Sequence, residues 1–202
     1  MGMPDLTLQL LAFRVLALLI MVGVHGGIIA WAAVVLGDKG PKYDGRLTIW
    51  PGNHIDLVGA ISLIIFGLGW AKPVDIDARQ LRFGRVGIVA VVLAGFVGLL
   101  VTAAFLDALI RPALTTLPHS AALATAAFLR VASRLSIWFA LLGLVPVPPL
   151  TGGLLLGAFG IRVARQASWI LAAALFVAVA TGVVSRLLAP AQAVLASVIL
   201  GA

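Results

Sequence analysis

From Leu6 to Leu36 the chain runs for 31 residues with one charged side chain, Arg14. As a single helix this stretch is about 46 Å long, more than a hydrocarbon core of about 30 Å, so it must tilt, kink or protrude. Only helices and closed barrels satisfy their own backbone groups in lipid. The residue-by-residue alternation of a barrel strand is absent. Comparable runs predict helical spans over 87–110, 122–145 and 169–188, with a further apolar segment after Pro190 that is short enough to be interfacial. Arg14 is expected near one end of its helix, with its stem buried and its head in the interface.

Of the 202 residues, 62% are hydrophobic and 10% charged, against about 25% charged in soluble domains. The sequence therefore predicts one all-α polytopic membrane domain over residues 1–202, with four to six transmembrane or re-entrant helices. Its net charge of +7 comes from cations scattered singly among loops. That pattern orients a chain in a bilayer and argues against nucleic acid as a partner. Without cysteine, imidazole and carboxylate are the only plausible metal ligands. The N-terminus has no basic region before its apolar run and carries Leu6 where a myristoylation signal needs Ser or Thr. It is read as a retained membrane segment. The five tryptophans are candidates for interface anchors.

The most polar stretch is Asp38 to Asp56. Alternation around 45–50 predicts a short strand closed by Pro51-Gly52, and 72–77 a second, together a small β element. Leu57 to Ala71 has about 15 apolar residues, short of the roughly 20 of a span. It either crosses as a short helix or re-enters. Re-entry gathers Lys39, Lys42, Arg46, Lys72, Arg79, Arg82 and Arg85 on one face, where Arg162 and Arg165 join them. Arg111 and Arg130 then lie on the other side. The positive-inside rule favours that arrangement, with the larger group cytoplasmic. Pro118 and His119 mark a loop. The run Val145 to Gly153 contains Pro146, Pro148 and Pro149 and cannot be regular helix.

Four blocks, in order, carry a resemblance: Leu36-Gly37-Asp38; Gly45 to Pro51, GRLTIWP, with His54-Ile55-Asp56; Gly69 to Val74, GWAKPV; and Leu144 to Gly153, LVPVPPLTGG. They resemble the compact bacterial branch of the site-2 proteases, intramembrane zinc metalloproteases whose corresponding blocks read approximately LGD, GRLTLNPLxHID, GWAKPV and NLLPIPPLDGG. The resemblance covers about residues 23–153 and says less about 154–202. It implies a bacterial cytoplasmic (inner) membrane protein.

The family chemistry needs HExxH on a helix: histidines at i and i+4 share one face and bind zinc, and the glutamate activates the metal-bound water. A third ligand is the aspartate of the DGG turn. By the resemblance, His25 falls on the first histidine, Gly26 on the glutamate, Ile29 on the second histidine and Thr151 on the aspartate. Ala94 to Gly98 stands where the family has an AGPxxN-like stretch, and Gly143 where it has asparagine. One imidazole cannot hold a catalytic zinc. The chain is therefore expected to be a pseudoprotease with no enzyme activity and no zinc or other cofactor. The expected role is a scaffold or assembly subunit that binds other transmembrane proteins, besides membrane lipids, in a hetero-oligomeric complex. Alternatives are a subunit that holds a lipid, quinone or pigment in the emptied pocket, and a divergent active metalloprotease. Gly23 and Gly27, and likewise Gly153 and Gly157, are GxxxG pairs and candidate helix-packing positions. His54 and Asp56 are read as ordering their loop, and a new metal site from His25, His54 and an aspartate is disfavoured.

Overall fold

A computed structural model describes residues 6–161 and 164–201, with the side chains of residues 165 and 166 also left undescribed. Arg162, the Arg165 side chain and the first five residues of the N-terminal segment lie outside the described residues. The chain is all-α. Helix α1 spans Leu8–Val35, α2 Gly40–Tyr43, α3 Leu57–Phe66, α4 Gly84–Ala108, α5 Ile110–Thr116, α6 His119–Leu144, α7 Gly153–Ala158, α8 Arg165–Ala180 and α9 Val183–Leu200, with a 3₁₀ turn at Pro51–Asn53. Among the described residues, four segments are long and apolar enough to cross a bilayer: Leu8–Val35, Gly84–Thr116, His119–Leu144 and Val183–Leu200.

Helices α1, α4 and α6 pack together, and their shared core buries Leu18, Met21, Val22, Leu99, Ala132, Phe139 and Ala140. Lipid is as apolar as these side chains, so the contact is stabilised by close van der Waals packing, for which the alanines leave room. Thr7 caps α1, its hydroxyl accepting from the Leu10 amide at 3.2 Å.

Between α1 and α4 the chain enters the bundle and returns. It departs at Leu36, and the Arg82 amide comes back to donate to the Leu36 carbonyl at 2.7 Å. At ten residues, α3 is only about 15 Å long. The excursion from Leu36 to Arg82 is thus re-entrant, not a crossing. Asp38, 1% exposed, clamps its mouth. Its Oδ1 accepts from the Gly40 amide and its Oδ2 from the Asp77 amide, both at 2.8 Å. Gly37 has φ +119°, and a Cβ there would stand 2.7 Å from the Gln80 carbonyl oxygen, so no other residue fits.

Three expectations are corrected. The β element at 45–50 and 72–77 does not form: among the described residues the extended backbone pairs only at the isolated bridge between Ile55 and Ala71. The reason is Arg46, which is buried. Its guanidinium donates to the carbonyls of Asn53, Lys72 (2.8 Å) and Pro73 (2.9 Å), so a side chain takes acceptors that a neighbouring strand would use. Arg14 does not snorkel. It is buried, and its Nη1 donates to the carbonyls of Ile64 (2.8 Å) and Ile65 (2.6 Å). There it caps the C-terminus of α3, where orphan carbonyls and the helix dipole favour a cation. The last apolar run breaks at Gly182, in the left-handed region at φ +75°, and not at Pro190, which lies inside α9. Consequently α8 is short and α9 is the span-length helix.

Candidate functional site

The middle of α1 meets the proline turn that follows α6. That turn is held by backbone bonds from the Val147 amide to the Val145 carbonyl (2.8 Å), from Leu150 to Val147 (2.9 Å) and from Gly152 to Gly143 (2.6 Å), and its Pro148–Pro149 peptide is cis. It carries Thr151 to α1, where His25 Nε2 and Thr151 Oγ1 are 2.8 Å apart. A hydroxyl donates or accepts, so either neutral tautomer of His25 makes this bond. The imidazole is buried and meets the Phe139 ring edge-on, centroids 5.6 Å apart. Among the described residues its Nδ1 has no hydrogen-bond partner.

Around this pair the space is filled. Ile29, 1% exposed, packs with Ala32, Ala33, Val74 and Val91. A Cβ on Gly95 of α4 would lie 2.8 Å from His25 Cε1 and 3.0 Å from Ile29 Cγ1, so Gly95 is the gap into which both side chains fit. Gly26 gives up its side-chain volume to His54: a Cβ there would overlap the His54 ring, 2.6 Å from Cε1 and closer still to Nδ1. His54 is wholly buried, and its Nε2 lies 2.8 Å from the Thr48 carbonyl oxygen, to which it donates. Burial lowers its pKa from the usual histidine range; the Thr48 carbonyl opposes this shift and the Arg46 guanidinium adds to it. Burial likewise lowers that of Arg46, against the nearby Asp75 and Asp44. Asp56 is the N-cap of α3, its Oδ1 accepting from the Gly59 amide at 2.8 Å. His54 and Asp56 are thus placed to order the loop.

These donors do not fit the zinc that the resemblance brings with it. His25 spends its Nε2 on Thr151, Ile29 offers no lone pair, and His54 spends its Nε2 on a carbonyl. No group of three or more His, Asp or Glu residues among those described could hold a metal ion, and a catalytic zinc needs three protein ligands and an open position.

The glycine pairs are placed differently from one another. Gly23 and Gly27 do receive a close backbone, but it is the chain's own loop: a Cβ on Gly23 would overlap the Ile49 carbonyl, and one on Gly27 would stand 3.0 Å from the Thr48 oxygen. Gly153 lies against Pro148, whereas Gly157 has open space and helps line a cavity of about 840 Å³. Next to Gly27, an apolar groove of about 420 Å³ runs between α1 and the loop, lined by Val24, Gly27, Ile28, Trp31, Leu47, Thr48 and Ile49. Sequence reasoning gave Arg14 and Arg46 only a topological role. The signal available was their position, single cations inside or beside apolar runs.

A relative from Bacillus subtilis (strain 168), named "Putative zinc metalloprotease YwhC", is 32% identical over 153 residues, covering 72% of this chain and 68% of the relative. The chain belongs to this site-2-protease-like family. No family model and no solved structure matches it. As a member of a site-2-protease-like family with four span-length helices, it is a membrane protein. Within that family fold, His25, Ile29 and Thr151, the positions that the resemblance aligns with zinc ligands, meet in a packed joint between α1, α4 and the proline turn.

Proposed function

We propose that this chain is a non-catalytic site-2-protease-like protein that acts as a scaffold, binding other transmembrane proteins in a hetero-oligomeric complex of the bacterial cytoplasmic membrane. The observation that carries this reading is the His25–Thr151 hydrogen bond at 2.8 Å, flanked by Gly26 under the His54 ring and by buried Ile29. The positions of ligand, base and second ligand are spent on packing. With the centre so filled, the reading is better supported than a lipid, quinone or pigment held there. A surface for a partner helix is the groove between α1 and the loop, where Trp31 (58%) and Ile49 (76%) are exposed. Close van der Waals packing of such exposed apolar side chains is what holds membrane helices together.

The test combines two measurements on chain purified from native membranes in mild detergent without chelator. Zinc should be substoichiometric and unchanged by His25→Ala. A photo-crosslinker at Ile49 or Trp31 should capture a discrete transmembrane protein, and one at Val101, on the exposed face of α4, should not. Stoichiometric zinc lost with His25→Ala would restore the divergent protease. Crosslinks to lipid alone, with a free monomer in detergent, would overturn the scaffold.

A further inference from the structure

The end of the bundle remote from the re-entrant loop carries a third cavity. Helix α4 starts beside the Leu36–Arg82 junction and ends roughly 37 Å away at Ala108. There, where α4 and α5 run antiparallel to α6, a pocket of about 430 Å³ is lined by Asp107, Arg111, Ser133, Arg130, Arg134 and the C-terminal end of α9. Three guanidiniums against one carboxylate leave an excess of two positive charges around it. Arg130 and Arg134 are one turn apart on α6, a like-charge spacing that destabilises a helix unless something neutralises it. Arg111 arrives from a different helix, so three cations bound one cavity where independent snorkelling would spread them over the surface.

The surroundings say what kind of anion fits. On α4, Leu93, Val97, Val101 and Phe105, followed by Leu109 just beyond its end, recur every four residues and are all exposed, forming an apolar ridge that reaches the pocket. On α9, Leu187, Val194 and Val198 are exposed and lead to Leu200, which lines it. A charged pocket at the end of two apolar ridges matches a molecule with an anionic head and apolar tails. We propose that Arg111, Arg130 and Arg134 bind the phosphate of an anionic phospholipid, whose acyl chains lie along α4 and α9. Guanidinium suits the site because its planar donors pair with phosphate oxygens in twos. The site is separate from the α1 centre and does not depend on what that centre does.

The experiment is native mass spectrometry of the full chain, delipidated in detergent and then titrated with phosphatidylglycerol or phosphatidylcholine. Phosphatidylglycerol should be retained preferentially. Removing cations should weaken it roughly fivefold per arginine, so that R130Q/R134Q loses about twenty-five-fold and R111Q alone about fivefold, with phosphatidylcholine unchanged. R79Q/R85Q, at the other end of the bundle, should bind as the parent does. The single R111Q variant, on an exposed position, decides the matter should the double variant misfold. Equal retention of the two lipids, or unchanged phosphatidylglycerol binding in R111Q and R130Q/R134Q, overturns the proposal. Displacement of the lipid by millimolar inorganic phosphate would reassign the pocket to free anions and overturn the lipid.

Discussion

The re-entrant loop and the middle of α1 touch each other, yet they treat polar atoms in opposite ways. In the loop, Asp38, Arg46 and Asp56 each hold backbone groups: two amides at the mouth, three carbonyls across the loop, and the first turn of α3. In α1, Gly26 and Ile29 hold nothing polar, and His25 keeps one neutral bond to Thr151. A loop residue that satisfies buried backbone cannot be removed without stranding donors or acceptors, which costs far more than the bond itself contributes. A residue whose only task is a metal can be exchanged for apolar packing at little cost to the fold once the metal is dispensable. The blocks that still match the family are those that build the re-entrant loop and the proline turn.

Four experiments press on this contrast. The largest effect is expected at Arg46→Met, which keeps the stem but strands the carbonyls of Asn53, Lys72 and Pro73. It should cost about 3–5 kcal/mol, as breaking a buried charged contact does, seen as loss of monodisperse protein or a large drop in Tm in detergent. A mild phenotype would mean that the loop does not depend on this residue.

Next comes Gly26→Glu, which puts a carboxylate where, by the resemblance, the family has its base. Because the His54 ring occupies that volume, overpacking of about 1–3 kcal/mol is expected, with no gain of zinc by elemental analysis even when Ile29→His and Thr151→Asp are added. Stoichiometric zinc in the triple variant at unchanged Tm would show that the centre has room for a metal site.

The third is pH. Burial holds the His54 pKa below its usual value near 6.5, so the unfolded chain binds a proton more readily than the folded one. Its contribution is complete above about pH 7 and is lost as pH falls below the unfolded value toward the folded one, with a slope of at most about 1.4 kcal/mol per pH unit. His54→Gln should flatten that part of the Tm profile between pH 7 and 5; an unchanged profile would assign the acid sensitivity elsewhere.

The smallest effect belongs to Thr151→Val. Near-isosteric, it leaves His25 Nε2 without a partner, for about 1 kcal/mol, while Asp38→Ala, removing acceptors for two amides, should exceed it. Equal losses would erase the distinction between loop and centre.

Much of this was legible in the residues. Three of the helical spans, over α1, α4 and α6, follow from the length and apolarity of the runs, because a bilayer accepts little else. The short length of Leu57 to Ala71 left a short helix and re-entry both open, and the distribution of cations favoured re-entry. Arg46 misled: its stretch alternates as a strand does, and a period-two pattern holds no information about a guanidinium inserted between two segments. Arg14 misled for a similar reason, since a lone arginine in an apolar helix reads the same whether it reaches water or a neighbouring helix end. Gly182 and Pro190 show the limit of breaker signals, as a proline inside a membrane helix is tolerated when its surroundings satisfy the freed carbonyl.

By itself the sequence determined that this chain is a helical membrane protein and which side chains stand in the middle of α1, because both are statements about which atoms the chain possesses. Only the tertiary structure decided what those side chains meet. That His54 lies over Gly26, that Thr151 reaches His25 across 126 positions of chain, that Gly23 and Gly27 are covered by the chain's own loop, and that three arginines from two helices bound one pocket are all long-range distances. Such distances are set by how helices pack and where loops return, and no local spacing encodes them.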